Sequence, residues 1–469
     1  MRGVGAYCLR NTMTWGHYTM RDRRKNANRH DGKISRRDFM GSAAAAAAIF
    51  TIVPRYVLGG PGYTPPSEKL NIAFIGAGGQ GERNIAQLSD ENIVALCDVD
   101  DERAAKTYKL YPNAKKYRDF RKMLEQEKYI DAVVVNTPDH THAVAAMMAI
   151  RMGKHVYCEK PLTHSIYEAR RLTEAARQAK VATQMGIHHH ASQALRLAVE
   201  VLQAGVIGGV YEVHLWTERP TVLWAQGIDR PKDTPPVPPT LNWDLWLGPA
   251  PYRPYHPAYV PFKWRGWWDF GTGAFGNMGC HVMDLAYWAL QLDRRPASVE
   301  AQTTRFNSET YPAASLIRYE FAAFRGLPPV TVTWYDGGLL PWRPPELEQG
   351  RNLPRHGGLY MGEKGTILAP LGGGPRLIPE SKMKGLRLPE PTLPRSAGHH
   401  QEWIEACKGG PKPLANFDYA GPLTEMVLLG NIAIRTGKKL NWDAANMKVT
   451  NVPEANEYLH REYREGWTL

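Results

Sequence analysis

The sequence predicts an α/β protein: a doubly wound parallel sheet first, then an α+β region built on a large, mainly antiparallel open sheet. Three observations carry this. The apolar run Leu70–Ile75 opens directly onto a glycine-rich turn. Strand-like and helix-like segments then alternate to about residue 190. Beyond Ser192 the alternation weakens, and longer strand-like runs take over.

Composition bounds the rest. The chain has 469 residues, 43% apolar and 22% charged, with five cysteines. At about 100–200 residues per domain, two or three domains are expected. No apolar run reaches the roughly 18–20 residues of a membrane span, so no stable membrane anchor is expected. Five scattered cysteines without a C-x-x-C pair give neither a disulfide framework nor a zinc site. Residues 1–66 hold eleven Lys and Arg against three Asp, leaving only +4 of the net +12 to the remainder. The basic charge therefore marks a leader, and no nucleic-acid partner is expected.

That leader reads Ser35-Arg36-Arg37-Asp38-Phe39-Met40, followed by a weakly apolar stretch from Ala43 to Val53. Paired arginines before a short, Ala-rich apolar core resemble a twin-arginine export signal, which implies a periplasmic or otherwise extracytoplasmic location. Pro54–Pro66 reads as a linker.

After the Leu70–Ile75 strand comes Gly76-Ala77-Gly78-Gly79-Gln80-Gly81, then a helical stretch through Leu88 and a second strand, Asn92–Cys97, ending at Asp98. In a Rossmann turn the first glycine allows the tight bend, the second lets the backbone approach a pyrophosphate, and the third lets helix and strand pack closely. Asp98 is placed to accept hydrogen bonds from the adenosine ribose. Asp100, Asp101 and Glu102 beside it would repel a 2′-phosphate, so NAD is favoured over NADP. Further strands are expected at Asp131–Asn136, His155–Cys158 and Val181–Gln184, with helices at Ala143–Met152 and Tyr167–Lys180. Ser165-x-x-Glu168 fits a capping box at the second of these helices.

Two loops at strand ends carry a family resemblance: Asn136-Thr137-Pro138-Asp139-His140-Thr141-His142 and Glu159-Lys160-Pro161. With the glycine turn they resemble the Gfo/Idh/MocA oxidoreductases, NAD(P)-dependent sugar dehydrogenases and their relatives, over about Leu70–Asp443. The resemblance implies a Rossmann domain at 67–190, a substrate-binding domain at 191–415 whose sheet covers the nicotinamide, and a segment at 416–469 returning to the first domain. It implies that Thr137, Pro138 and His142 lie near the nicotinamide. Glu159 and Pro161 would shape the loop presenting Lys160 to the nicotinamide ribose and the substrate hydroxyl.

In the second domain, strands are expected at Tyr211–Trp216, Ser298–Thr304, Ser315–Phe321 and Val330–Trp334. Between the first two lies a stretch rich in proline and tryptophan, with Trp243, Trp246, Trp264, Trp267 and Trp268. It suits stacking on a sugar ring, packing on itself or a subunit contact. A helix expected from about Asn277 to Leu292 would put Asn277, His281, Asp284 and Trp288 on one face. The family implies a general acid/base at His281, with Asp four residues earlier. Asn277 departs from that pattern, and Asp284 is the candidate to compensate. Trp264, Arg265, His188 and His190 are further candidate substrate contacts. Consecutive histidines fit no defined ligand spacing, so no metal is assigned.

The leading functional expectation is an exported oxidoreductase moving a hydride between a sugar or sugar derivative and tightly bound NAD, with Lys160 and His281 handling the proton. Scarce NAD outside the cytoplasm also allows a redox-neutral glycosidase, similar to the NAD-dependent N-acetylgalactosaminidases. A non-catalytic NAD- or glycan-binding protein is the third reading. The open sheet face suits a homo-oligomer.

Overall fold

The computed structural model describes residue 65 and residues 68–221, 223–294 and 296–469. The expected export leader lies outside the described residues, apart from Pro65.

The first half runs β1 (Asn71–Ile75), α1 (Gln80–Gln87), β2 (Asn92–Cys97), α2 (Asp101–Leu110), β3 (Lys115–Tyr117), α3 (Phe120–Gln126), β4 (Ala132–Val135), α4 (Asp139–Arg151), β5 (His155–Cys158), α5 (Ile166–Ala179) and β6 (Thr183–Met185). The strands pair in parallel in the order β3-β2-β1-β4-β5-β6. Helices cover both faces, so β4 is buried at all four residues. Asp100 and Asp119 cap α2 and α3, and Ser165 with Glu168 forms the expected capping box on α5. Strand β3, Lys-Lys-Tyr, carries no apolar signal and escapes the sequence reading. Helix α4 starts at Asp139, earlier than expected, because the polar Asp139, His140 and His142 are buried by internal partners.

The second half continues with α6 (Gln193–Gln203), β7 (Val210–Thr217), α7 (Trp243–Leu247), α8 (Gly273–Val282), α9 (Asp284–Ala289), β8 (Ser298–Thr303), β9 (Ser315–Phe321), β10 (Val330–Tyr335), β11 (His356–Gly362), β12 (Gly365–Pro370), β13 (Arg376–Ile378), α10 (His399–Cys407), α11 (Phe417–Thr436), β14 (Leu440–Asp443) and β15 (Lys448–Val449). Nine strands form one sheet in the order β13-β12-β11-β7-β10-β9-β8-β14-β15, antiparallel except where β10 runs parallel to β7. The four expected strands are its centre.

Two helices join the halves. Trp403 and Ile404 of α10 pack with Ile72, Phe74 and Tyr157 of the first sheet, so the chain already returns there at His399. Helix α11 is held on one side by an ion pair between Arg170 of α5 and Glu425 (2.7 Å). On its other side the Tyr319 hydroxyl of β9 donates to the Met426 carbonyl (2.9 Å).

Candidate active site

Strand β1 ends in a turn that only glycine fits at several points. Gly76 has φ +86°, and a side chain there would meet the Asn136 backbone at 2.9 Å. A Cβ on Gly81 would lie 1.9 Å from the Gly76 carbonyl oxygen. The turn therefore presses β1 against α1 and sets the N-terminus of α1, at Gly79 and Gln80, on the cleft wall, where a pyrophosphate would be received. Asp98 braces this turn. Its Oδ2 accepts from Ala77 N (2.9 Å) and Gly78 N (3.0 Å), and its Oδ1 from Asp100 N (3.0 Å). Burial pushes its carboxyl pKa up, and the backbone hydrogen bonds pull it partly back. Three backbone donors leave part of the carboxylate's accepting capacity open, and Asp98 lines the cleft that opens here. Asp100, half-buried, lies on the wall of the same cleft.

This cleft, about 630 Å³, runs from Gly76, Gly78, Gly79 and Gln80 past Thr137, Pro138, His142, Glu159 and Lys160 to Asn277 and His281. Thr137 holds a buried hydroxyl with no hydrogen-bond partner. The His142 ring ties the two family loops together, with Nδ1 at 2.8 Å from the Pro161 carbonyl and Nε2 at 2.9 Å from the Thr137 carbonyl. Glu159 accepts from Asn84 Nδ2 (2.9 Å) and lies 3.6 Å from His188 Nε2. Burial raises the Glu159 pKa, but His188, Asn84 and Lys160 together hold it below the usual range.

Lys160 Nζ donates to the Asn277 main-chain carbonyl (2.8 Å). Burial, and then the Arg265 cation, bring the Lys160 pKa down to about 8. One turn after Asn277, His281 reaches the same cleft. Burial and the nearby Lys160, His189, His188 and Arg219 depress its pKa, so the imidazole is neutral near pH 7. Its Nδ1 is buried without a partner. The Asn277 side-chain oxygen accepts from Arg219 Nη1 (3.1 Å), a contact the sequence reading missed.

Three expected site residues are placed elsewhere. The helix expected over Asn277–Leu292 breaks at Met283 into α8 and α9. Asn277 and His281 stay on the cleft, but Asp284 turns away. It is buried, lies 3.0 Å from His190 Nδ1, and accepts from the Tyr419 hydroxyl (2.5 Å). His190 is buried and stacks on Trp288, with ring centroids 4.3 Å apart. It therefore serves the core, and Asp284 does not support His281. His188 lies behind Glu159, outside the cleft lining, and stacks at 5.1 Å against His400.

The tryptophan-rich segment packs mainly on itself. Trp243 stacks on Trp246 (4.8 Å), and Tyr259 meets Trp267 edge-on (4.8 Å) around Phe270. Trp246 and Trp264 reach the cleft. Arg265 also lines it, with its guanidinium 4.2 Å from the Trp264 ring and 3.9 Å from Phe262. At the other end Arg83, Arg103 and Arg118 join the wall, and Arg103 lies against Gly78 and Gly79. No spacing motif marks these arginines, so sequence alone did not single them out. Among the described residues no three His, Cys, Asp or Glu side chains converge as metal ligands.

A glycine turn at a helix N-terminus, an arginine over it, an orphaned Thr137 hydroxyl further along and a long cleft between them fit a dinucleotide.

Comparison with known proteins agrees with this geometry. A family model described as "Oxidoreductase family, NAD-binding Rossmann fold" matches residues 70–187, and "Oxidoreductase family, C-terminal alpha/beta domain" matches 201–324, together more than half of the chain. Inositol 2-dehydrogenase of Serratia proteamaculans is 32% identical over 166 residues, 34% of this chain and 49% of that protein. Levoglucosan dehydrogenase of Pseudarthrobacter phenanthrenivorans is 23% identical over 232 residues, 47% of this chain and 50% of that protein. The chain thus spans about half the length of the curated relatives it matches. Among solved structures, the WlbA dehydrogenase of Bordetella pertussis, in complex with NADH and UDP-GlcNAcA, shares the fold with a TM-score of 0.55 at 20% identity, over 80% of this chain and 99% of that one.

Proposed function

We propose, for a chain that belongs to the Gfo/Idh/MocA family of NAD-binding oxidoreductases, that it is an exported enzyme oxidising a hydroxyl of a sugar or sugar derivative. The observation that carries this is the pairing at one end of the dinucleotide cleft. Lys160, its pKa lowered, reaches from the loop after β5 to the Asn277 carbonyl one helical turn before a neutral His281, and both side chains line the cleft.

The bound NAD supplies the hydride acceptor; the protein supplies position and proton handling. The α1 N-terminus and Arg103 would hold the pyrophosphate, and Asp98 and Asp100, both on the cleft wall, would accept from the adenosine ribose. Thr137 offers its free hydroxyl at the nicotinamide end. The His281 ring accepts the substrate hydroxyl proton, since no carboxylate steadies it in the charged form beforehand. Lys160 orients that hydroxyl and shares the proton once its own ammonium has deprotonated. Asn277 is held by Arg219 and cannot act as an acid or base.

Arg36-Arg37 and the Ala-rich stretch after it support export. They also favour a second reading, because NAD held outside the cytoplasm is not readily exchanged. A redox-neutral glycosidase that oxidises, eliminates and reduces back in place would suit that setting. Mass spectrometry of the native exported protein, followed by product analysis on a sugar and glycoside panel, tests both. Co-purified NAD(H) and a keto-sugar product support the dehydrogenase. Free sugar and a leaving group without net reduced nicotinamide support the glycosidase. A chain that binds no NAD would sink both readings.

A further inference from the structure

The substrate end of the cleft holds three cationic side chains that no carboxylate among the described residues meets directly. Lys160, Arg219 and Arg265 all line it. Lys160 and Arg265 donate to main-chain carbonyls, of Asn277 (2.8 Å) and Phe262 (2.9 Å), and Arg219 donates to the neutral Asn277 amide (3.1 Å). Among the described residues none of the three forms an ion pair with a carboxylate. Asp139 and Glu159 line the same cleft and partly offset Lys160 and Arg265 without a direct ion pair, whereas Glu218, the acid nearest Arg219, is ion-paired with Arg355.

Arg219 is the decisive group. Its side-chain partner at 277 is a neutral amide, where an Asp would neutralise Arg219 directly. With Asn277, a half-buried guanidinium keeps its full charge one helical turn from His281. An oxidised nicotinamide ring adds a further positive charge beside it. Like charges gathered in a partly desolvated pocket are unfavourable unless a ligand brings the opposite sign. The pyrophosphate would not serve here, because Arg103 and the α1 N-terminus, which would hold it, lie at the other end of the cleft.

We infer that the substrate is a sugar bearing an anionic substituent, a carboxylate or a phosphate or sulfate ester, which Arg219 binds with support from Arg265. This rests on the dehydrogenase reading above and adds the charge class of the substrate. A planar guanidinium held in place by Asn277 suits a bidentate grip on such a group.

Calorimetric titration of the NAD-loaded full chain with matched sugars tests it: D-glucuronate against D-glucose, D-galacturonate against D-galactose, and the 6-phosphates and 6-sulfates of both hexoses. At least one anionic sugar should bind about tenfold or more tighter than its neutral counterpart, and which arm shows this identifies the group. The preference should fall in Arg219→Gln and also in Asn277→Asp, which cancels the charge while keeping the arginine. Both variants should still bind NAD, no more weakly than the parent chain, showing that they fold. Neutral sugars binding as tightly throughout, or a preference that survives Arg219→Gln, would overturn the inference. If NAD is reduced by neutral sugars without any preference for anions, only this inference fails. If NAD itself does not bind, the dehydrogenase reading fails and this inference with it.

Discussion

Lys160 donates its amine to the main-chain carbonyl of Asn277 across 2.8 Å, joining the loop after β5 to the helix that bears His281. The lysine is therefore fixed by backbone, and its proton is poised by burial and by the Arg265 cation. With its pKa at about 8, the amine is charged below that pH and neutral above it. Oxidation of the substrate hydroxyl should accelerate as pH rises through about 8, read from the pH profile of kcat/KM. Lys160→Met should abolish this limb and lower kcat by about 10²–10⁴-fold. Stability has a sign too. Between about 8 and the usual 10.5 the unfolded chain holds a proton that the folded one lacks, so this group makes the fold more stable as pH rises across that window.

His281→Asn should reduce kcat by about 10²–10⁴-fold while NADH binding, followed by fluorescence titration, stays unchanged. A parallel loss of nucleotide affinity would show that the ring serves the cofactor and not the proton.

Asp284→Asn tests the opposite claim. Its carboxylate is buried against His190 and Tyr419, away from the cleft. Replacement should cost about 1–3 kcal/mol of stability in denaturant unfolding, with little effect on NADH affinity.

Gly81→Ala places a Cβ 1.9 Å from the Gly76 carbonyl. The turn must open, so nucleotide binding should weaken by about tenfold or more, read by the same fluorescence titration.

For the leader, replacing both Arg36 and Arg37 with lysine should hold the protein in the cytoplasm, seen by cell fractionation. Equal appearance outside the cytoplasm would argue for another export route.

Local chemistry made the first sheet and its glycine turn readable from sequence. The strand-turn-helix order at Leu70–Leu88 and the Ser165–Glu168 capping box depend on residues a few positions apart. What escaped depends on distant partners. Asp284 shares a face with Asn277 and His281 only if the helix continues, yet Met283 breaks it and His190, 94 residues away in the chain, recruits the carboxylate. Arg219 lies in no motif and gains its role from Asn277, 58 residues on. Strand β11 reads His-Gly-Gly-Leu-Tyr-Met-Gly, too rich in glycine to look like a strand alone, and is formed by pairing with β7 and β12. The tryptophans were visible, but not their division of labour: Trp243 and Trp267 find aromatic neighbours of their own, while Trp246 and Trp264 reach the cleft.

Helix α11 also governs how the molecule comes apart. One cylinder is clamped by Arg170 on one flank and by Tyr319 on the other, so neither lobe can melt and leave its neighbour intact. Scanning calorimetry of the region from residue 68 onward should record a single endotherm, and nucleotide bound to one lobe alone should shift the whole of it to higher temperature.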